Sequence, residues 1–215
     1  LCCSPAGTGK TYTAGVIASH VPNGVLCLAP TWKAISVLRS KLQHVACVTF
    51  QTVQGFVTSF PPSKVGLVIV DEVSMLTMGQ LRQILFSYLN QTQTRLLLIG
   101  DDAQLPCIGR GYPIRDIQTQ VHTVVLTQCM RTQVGGLLEA AQAVRNGVSF
   151  EGVGSEVTLT ATHTPVQCMS NFFDAKEGVQ PPWSDTYLQM ITPQNNHVEL
   201  LNTMVQEMLT KKEGS

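Results

Sequence analysis

The chain has 215 residues, of which 44% are hydrophobic and 13% are charged, so it can bury a sizeable core as one large domain or as one domain with part of another. Its formal net charge is zero, which excludes an overall basic field and restricts any nucleic-acid binding to a local cleft. Seven cysteines without a C-x-x-C pair argue against a disulfide framework and a zinc site, and favour a reducing, intracellular setting in the cytoplasm or nucleus.

Short apolar runs alternate with amphipathic stretches along the chain. Strands are predicted at residues 25–29, 47–50, 65–70, 95–99, 123–126 and 187–191, and helices at residues 11–20, 33–42, 53–57, 78–89, 136–145 and 198–209. None of the apolar runs has the length of a membrane span. Polar motifs follow the strands, which is typical of a doubly wound parallel sheet whose ligands bind beyond the carboxyl ends of the strands. The predicted fold class is therefore α/β, with a parallel sheet flanked by helices.

A glycine-rich segment lies at the start of the chain, between the end of an apolar strand and the first helix. It consists of Ser4, Pro5, Ala6, Gly7, Thr8, Gly9, Lys10 and Thr11. Only its first position departs from the usual phosphate-binding pattern, which begins with glycine. Gly7 and Gly9 allow backbone N–H groups to point at a phosphate, and the following helix adds its positive end. Lys10 supplies a charge for the β- and γ-phosphates of ATP, and the Thr11 hydroxyl can bind Mg²⁺. A glycine-rich turn without a ligand is the simpler alternative.

An acidic pair, Asp71 and Glu72, follows the β-branched strand at residues 65–70. A carboxylate at the end of a buried strand can hold Mg²⁺, and its neighbour can orient and deprotonate an attacking water. We therefore assign Asp71 to the metal and Glu72 to catalysis as a general base. Acidic pairs are also common at strand ends without any function, so this assignment depends on the phosphate-binding segment upstream.

Two further polar segments follow later strands. Gln104 comes after the strand at residues 95–99, and its amide could both donate to a γ-phosphate oxygen and accept from a water. It is therefore a candidate detector of the γ-phosphate, although a polar turn ended by Pro106 would explain the same residues. Arg131 comes after the strand at residues 123–126, and arginine suits the charge that builds on a transferring phosphoryl group. A surface arginine remains the alternative there.

In this order and at this spacing, the motifs resemble those of superfamily 1 helicases, most closely the RecD-like branch that moves 5′ to 3′. The matching segments are residues 4–11, 28–34, 71–75, 100–106 and 126–131. The resemblance implies an ATP-dependent DNA helicase or translocase that uses ATP and Mg²⁺, with Arg131 as the first arginine finger and Gln104 as the γ-phosphate sensor. It also implies single-stranded DNA, or RNA, as the partner. The residues implied to lie near that strand are Pro30, Thr31, Lys33, Thr49 and Gln51.

The resemblance also implies a division of the chain. Residues 1–147 correspond to a first RecA-like ATPase domain with a truncated N-terminus, residues 148–184 to a linking stretch or small insertion, and residues 185–215 to the beginning of a second RecA-like domain. The adenine-binding segment and the late helicase motifs of the family have no counterpart in the sequence. We therefore expect a helicase fragment that separates strands poorly or not at all by itself.

Three other functions are compatible with the sequence. A phosphate-loop kinase or nucleotide switch would not act on nucleic acid, and Gln104 with its flanking residues argues against it. A degenerate domain retained for docking a partner would not need Lys10, Thr11, Asp71 and Glu72 together. A viral superfamily 1 RNA helicase would share every motif, and only the low charge and the RecD-like motif sequences favour DNA.

Overall fold

The structure, a computed structural model, describes residues 1–59, 65–88, 93–130, 135–148, 167, 192 and 195–213. The chain divides into two compact units, Leu1–Val157 and Thr158–Ser215. The five described strands and six of the described helices belong to the first unit, and a seventh helix belongs to the second. No helix in the described ranges is both long enough and apolar enough to cross a membrane.

A parallel sheet of five strands organises the first unit. Its strands are β1 (Cys2–Cys3), β2 (Val25–Ala29), β3 (Val48–Thr52), β4 (Leu67–Val70) and β5 (Arg95–Gly100). Their order across the sheet is β1-β5-β4-β2-β3, and every neighbouring pair is parallel. The carboxyl ends of all five strands therefore lie at the same end of the sheet, where ligands of open α/β sheets bind.

β2 and β4 lie in the interior of the sheet, and every residue of both strands is buried. Within β2, Leu26 and Leu28 belong to one hydrophobic cluster, whereas Val25 and Cys27 belong to another. Because successive side chains of a strand point to opposite faces, the sheet has a hydrophobic core on each face. This explains why these strands are apolar throughout and do not alternate with polar residues.

The helices of the first unit are α1 (Lys10–Ser19), α2 (Trp32–Leu42), α3 (Val53–Thr58), α4 (Met78–Tyr88), α5 (Pro113–Gln118) and α6 (Gly135–Arg145), and α7 (Asn195–Glu213) lies in the second. Local chemistry fixes the start of α2, where the Thr31 hydroxyl accepts a hydrogen bond from Ala34 N at 3.2 Å and acts as an N-cap. The buried residues of α2 are Ile35, Leu38 and Leu42. Their spacing of three and four places them on one face of the helix.

Most predicted elements agree with the structure to within a few residues, but the strand predicted at residues 123–126 is wrong. Only Val124 forms a bridge there, to Cys2, through Val124 N to Leu1 O and Cys3 N to Val124 O. Leu126 N, at the end of the predicted strand, donates to the Ser4 side chain and not to a neighbouring strand. The structure also adds α5 and a 3-10 turn at Val73–Met75, neither of which follows from apolar periodicity. A proline at the start of α5 was the available signal. The strand predicted at residues 187–191 lies outside the described residues.

Candidate nucleotide site

Three neighbouring strands bring predicted catalytic segments together. β5 lies between β1 and β4, so the residues that follow it lie between those that follow the other two strands. The glycine-rich loop (residues 4–11) follows β1, the acidic pair follows β4, and the segment with Gln104 follows β5. The structure thus places three of the four predicted catalytic residues, Lys10, Glu72 and Gln104, at the same end of the sheet.

The loop turns at two glycines. Gly7 and Gly9 have φ angles of 80° and 85°, in the left-handed region that other residues rarely adopt. A side chain at Gly9 would meet no atom within 4 Å, so the backbone conformation, and not crowding, favours glycine there. The Thr8 hydroxyl donates to Pro5 O at 2.9 Å and closes the loop from within. Helix α1 starts directly after Gly9, so the positive end of its dipole faces the loop.

Ser4 occupies the position at which the usual pattern has glycine, and it is completely buried. Its backbone N donates to Gly100 O at 3.0 Å, and its Oγ accepts from Leu126 N at 2.7 Å. Among the described residues other than glycine, only Cys47 and Glu72 have a positive φ. The backbone at Ser4 therefore does not need glycine, and the serine side chain links the loop to the segment after the Val124 bridge.

Replacing Ser4 with alanine is expected to lower the free energy of unfolding by about 1–2 kcal/mol, because Leu126 N would lose its acceptor in a partly buried place. Urea denaturation measures this change. The matched control is Ser19→Ala, since the Ser19 hydroxyl donates to Val16 O on an exposed helix surface, and it should cost less than about 0.5 kcal/mol. Equal losses in the two variants would contradict a structural role for the Ser4–Leu126 bond.

The Lys10 side chain folds back over the loop. Its ammonium donates to Ser4 O at 2.7 Å and to Pro5 O at 2.8 Å. These bonds use two of the three N–H donors of a lysine. The positive charge is therefore held at the loop, where a phosphate cradled by the backbone would need it.

Asp71 and Glu72 form a strained acidic pair. Asp71 is buried, and its Oδ1 accepts a hydrogen bond from Glu72 N at 2.9 Å. The pKa of the Asp71 carboxyl is raised to about 6 by burial and then by the charge of Glu72, while the Glu72 N–H and the Lys10 ammonium act in the opposite direction. Glu72 has a φ of 53° and a ψ of 45°, a left-handed conformation that costs about 1–3 kcal/mol and is typical of functional sites.

The turn that carries Gln104 is held at both ends. At its start, Asp101 Oδ1 accepts from Ala103 N at 3.1 Å, and Asp101 O accepts from Gln104 N at 3.3 Å. At its end, Cys107 N donates to Ser74 O at 3.1 Å, which ties the turn to the 3-10 turn that follows the acidic pair. The half-buried Gln104 lies between these two anchors, and it lines a small cavity together with Ser74 and Tyr112.

Arg145, the last residue of α6, contacts this turn and lies outside the set of predicted site residues. Its Nη1 is 2.5 Å from Asp101 Oδ1, and its Nη2 is 2.7 Å from Asp102 Oδ1. The helix dipole explains a basic residue in the last turn of a helix, so no sequence signal distinguishes Arg145. A cavity of about 260 Å³ separates α6 from the loop, and the residues that line it include Pro5, Ala6, Thr8, Asp101, Thr127 and Arg145.

The segment before Arg131 lies against the glycine-rich loop. Met130 N donates to Gly7 O at 2.7 Å, and Cys129 Sγ contacts Ala6 O at 4.0 Å. Arg131 itself lies outside the described residues. Its role as an arginine finger therefore stays a prediction.

The predicted metal ligands are the Asp71 carboxylate and the Thr11 hydroxyl. Thr11 is the second residue of α1 and is partly exposed. In the part of the chain that the structure describes, no group of three or more His, Cys, Asp or Glu could hold a metal ion. An Mg²⁺ ion that is also bound by substrate phosphates needs only one or two protein ligands, so the predicted pair fits its chemistry.

The residues predicted to lie near a nucleic acid are at the edge of the sheet opposite β1. They are Pro30, Thr31, Lys33, Thr49 and Gln51. The first three follow β2, and the last two belong to β3, the edge strand. Gln51 pairs in register with Leu28, and its side-chain amide donates to Ser59 Oγ at 2.8 Å. The structure thus groups these five residues on β3 and just after the adjacent strand β2, and their contact with nucleic acid stays a prediction.

Comparison with known proteins gives a family and a relative. A family model described as an AAA domain matches residues 1–171. The ATP-dependent RecD2 DNA helicase of Deinococcus radiodurans is 32% identical over 151 residues, which cover 66% of this chain and 21% of that helicase. The chain therefore spans about a fifth of the length of this relative.

Solved helicase structures share the fold at low sequence identity. Pif1 helicase from Bacteroides, in complex with ADP-AlF3 and ssDNA, is 17% identical with a TM-score of 0.56, and the match covers 94% of this chain and 51% of that one. The helicase nonstructural protein 10 of an arterivirus, in complex with DNA, is 19% identical with a TM-score of 0.51, covering 76% of this chain and 44% of that one. The predicted α/β fold, a RecA-like parallel sheet flanked by helices, is confirmed.

The motif order and these matches agree with each other. The resemblance to RecD-like superfamily 1 helicases is confirmed, and the assignment of the glycine-rich loop to a bound nucleotide stays a prediction. Because the family model extends from the first residue through the whole five-stranded sheet, we conclude that the chain belongs to the AAA domain family.

Proposed function

We propose that this chain is the nucleotide-hydrolysing part of an ATP-dependent DNA helicase, which moves along single-stranded DNA and unwinds duplexes. The observation that carries the proposal is the position of β5 between β1 and β4, because the turn that carries Gln104 then follows the strand between those that precede the glycine-rich loop and the acidic pair. The similarity to the RecD2 DNA helicase supports DNA as the partner, and so does a fold neighbour, Pif1, whose structure contains ssDNA.

The loop would bind the phosphates of ATP. Gly7 and Gly9 would let backbone N–H groups converge on the phosphate oxygens, and α1 would add the positive end of its dipole. The Lys10 ammonium, which donates to two loop carbonyls, would turn to the β- and γ-phosphates, because hydrogen bonds to an anion are stronger than those to a neutral carbonyl.

Asp71 and Thr11 would hold Mg²⁺. The buried Asp71 carboxylate, beside a second acidic side chain, lies in surroundings that a cation would stabilise, as its raised pKa indicates. Bound there, Mg²⁺ would neutralise charge on the β- and γ-phosphates. Glu72 would orient the attacking water and accept its proton, which is the task of a general base.

Gln104 and Arg131 would connect hydrolysis to movement. Gln104 would detect the γ-phosphate from the turn between the loop and the acidic pair, and Arg131 would balance the charge that develops during transfer. Closing and opening against a second domain would then shift the protein along the strand. Pro30, Thr31 and Lys33, together with the β3 residues Thr49 and Gln51, would hold the strand through its backbone phosphates.

The proposal includes a domain division and a cellular setting. Residues 1–147 would be the ATPase domain, residues 148–184 a linking stretch, and residues 185–215 the start of a second RecA-like domain. The described cysteines are free thiols, which supports a reducing compartment such as the cytoplasm or nucleus.

Replacing Gln104 with alanine is expected to reduce the stimulation of ATP hydrolysis by single-stranded DNA about tenfold while nucleotide binding persists. The reason is that the loop and the acidic pair would remain, whereas the amide that detects the γ-phosphate would be absent. The measurement is the steady-state hydrolysis rate of the purified chain with increasing oligo(dT). Gln120→Ala, at an exposed glutamine after α5, is the matched control and should respond to DNA like the wild type.

The same titration tests the proposed function. Hydrolysis that responds to oligo(U) and not to oligo(dT) would indicate an RNA helicase instead. Hydrolysis that responds to neither polymer would favour a kinase or nucleotide switch. Full DNA stimulation in Gln104→Ala would contradict the sensor role alone.

A further inference from the structure

Arg145 bridges two carboxylates on the turn that carries Gln104. Its Nη1 contacts Asp101 Oδ1 at 2.5 Å and its Nη2 contacts Asp102 Oδ1 at 2.7 Å. The planar guanidinium presents several N–H donors in a fixed geometry, so one arginine can hold two adjacent acidic side chains at once. A lysine in this place could offer only a single point of charge.

The two halves of this contact are not equivalent. The Asp101 side chain is 5% exposed and the Asp102 side chain is 40% exposed, while that of Arg145 is 29% exposed. A buried carboxylate needs a charged partner far more than an exposed one does. Arg145 therefore mainly stabilises the charge of the buried Asp101. Its second contact, with Asp102, limits the rotation of the guanidinium.

Asp101 also organises the turn. The oxygen that meets Arg145, Asp101 Oδ1, accepts from Ala103 N, and Asp101 O accepts from Gln104 N. A change in the position of the Asp101 carboxylate would therefore change the position of the Gln104 backbone. The far end of the turn is tied independently by Cys107 N to Ser74 O, so Arg145 controls the start of the turn only.

We propose that Arg145 is a positioning residue, which acts through Asp101 to hold the Gln104 turn in the arrangement that couples the nucleotide to DNA. The inference about coupling rests on the proposed function, whereas the positioning of the turn does not.

Hydrogen exchange tests the positioning without any need for activity. In Arg145→Ala, the amides of the turn at residues 101–107 are expected to exchange about tenfold faster, while peptides from β2 and β4 keep the wild-type rate. The matched control is Arg82→Ala, which removes an arginine that stacks on Phe86 in α4 and should leave the turn unchanged. Unchanged exchange of the turn in Arg145→Ala overturns the proposal.

Two milder variants test the proposal even if Arg145→Ala unfolds the protein. Arg145→Lys keeps the charge and should show an intermediate exchange rate, because a lysine holds Asp101 but does not bridge to Asp102. Asp102→Asn removes only the exposed arm and should accelerate exchange less than Arg145→Ala does. Exchange in Arg145→Lys as fast as in Arg145→Ala would contradict a role for the charge at Asp101.

Kinetics test the coupling. Arg145→Ala should lower the DNA-stimulated kcat about tenfold with little change in the KM for ATP, and it should add no further loss in the Gln104→Ala background. Independent, multiplicative losses would show a merely structural effect and overturn the proposal. If the wild-type chain hydrolyses ATP without any response to DNA, the proposed function fails, and the exchange experiment alone decides the positioning role.

Discussion

Alanine at position 10 is expected to abolish ATP hydrolysis, with a loss of at least about 10²–10³ in rate, the size typical of removing one preorganised charge or donor from a transition state. The ammonium of Lys10 lies on the loop, 2.7 Å from Ser4 O and 2.8 Å from Pro5 O. No other basic side chain follows the loop within α1. The loss should appear in nucleotide affinity as well as in turnover, because the same charge would meet the phosphates before and during the reaction.

The measurement for Lys10→Ala is steady-state hydrolysis together with the binding of a fluorescent ATP analogue. Lys41→Ala is the matched control, since Lys41 is an exposed lysine in the last turn of α2. It should retain both activities. Turnover close to that of the wild type in Lys10→Ala would contradict the assignment of the loop as the catalytic phosphate site.

Glutamine at position 72 is expected to lower hydrolysis by about 10²–10⁴, because an amide keeps the shape of the side chain but cannot accept the proton of the attacking water. Nucleotide affinity should survive, since Asp71 and Thr11 would still bind the metal. The variant should therefore trap bound ATP. Rapid-quench measurement of bound ATP and ADP in a single turnover distinguishes a trapped substrate from a substrate that never bound.

The strained backbone of Glu72 requires a second variant. Its φ of 53° is more easily adopted by asparagine than by most residues, so Glu72→Asn removes the base and lowers the strain at the same time. Equal losses of turnover in Glu72→Gln and Glu72→Asn would assign the effect to the missing base. Glu139→Gln, at an exposed glutamate of α6, is the control. A parallel fall of affinity and turnover would instead identify Glu72 as a metal ligand.

The sequence alone determined where the candidate site segments lie along the chain. The glycine-rich loop, the acidic pair and the segment with Gln104 could be recognised because each is a short run of specific residue types that directly follows an apolar strand. The uniformly apolar runs of β2 and β4 predicted buried parallel strands, because burial on both faces leaves no place for polar residues. Apolar spacing predicted α2 at residues 33–42, one residue from its start at Trp32.

Only the tertiary structure decided which of these segments meet. The order β1-β5-β4-β2-β3 places the Gln104 turn between the loop and the acidic pair. Strand order cannot be inferred from the periodicity of apolar residues along the chain. Where a strand was predicted at residues 123–126, the structure has a single bridge at Val124 and a bond from Leu126 N to a serine 122 residues away in the sequence. The contact of Arg145 with Asp101 spans 44 residues. Such pairings are fixed by packing across the sheet, because a side chain far along the chain becomes a neighbour only once the strands and helices have assembled.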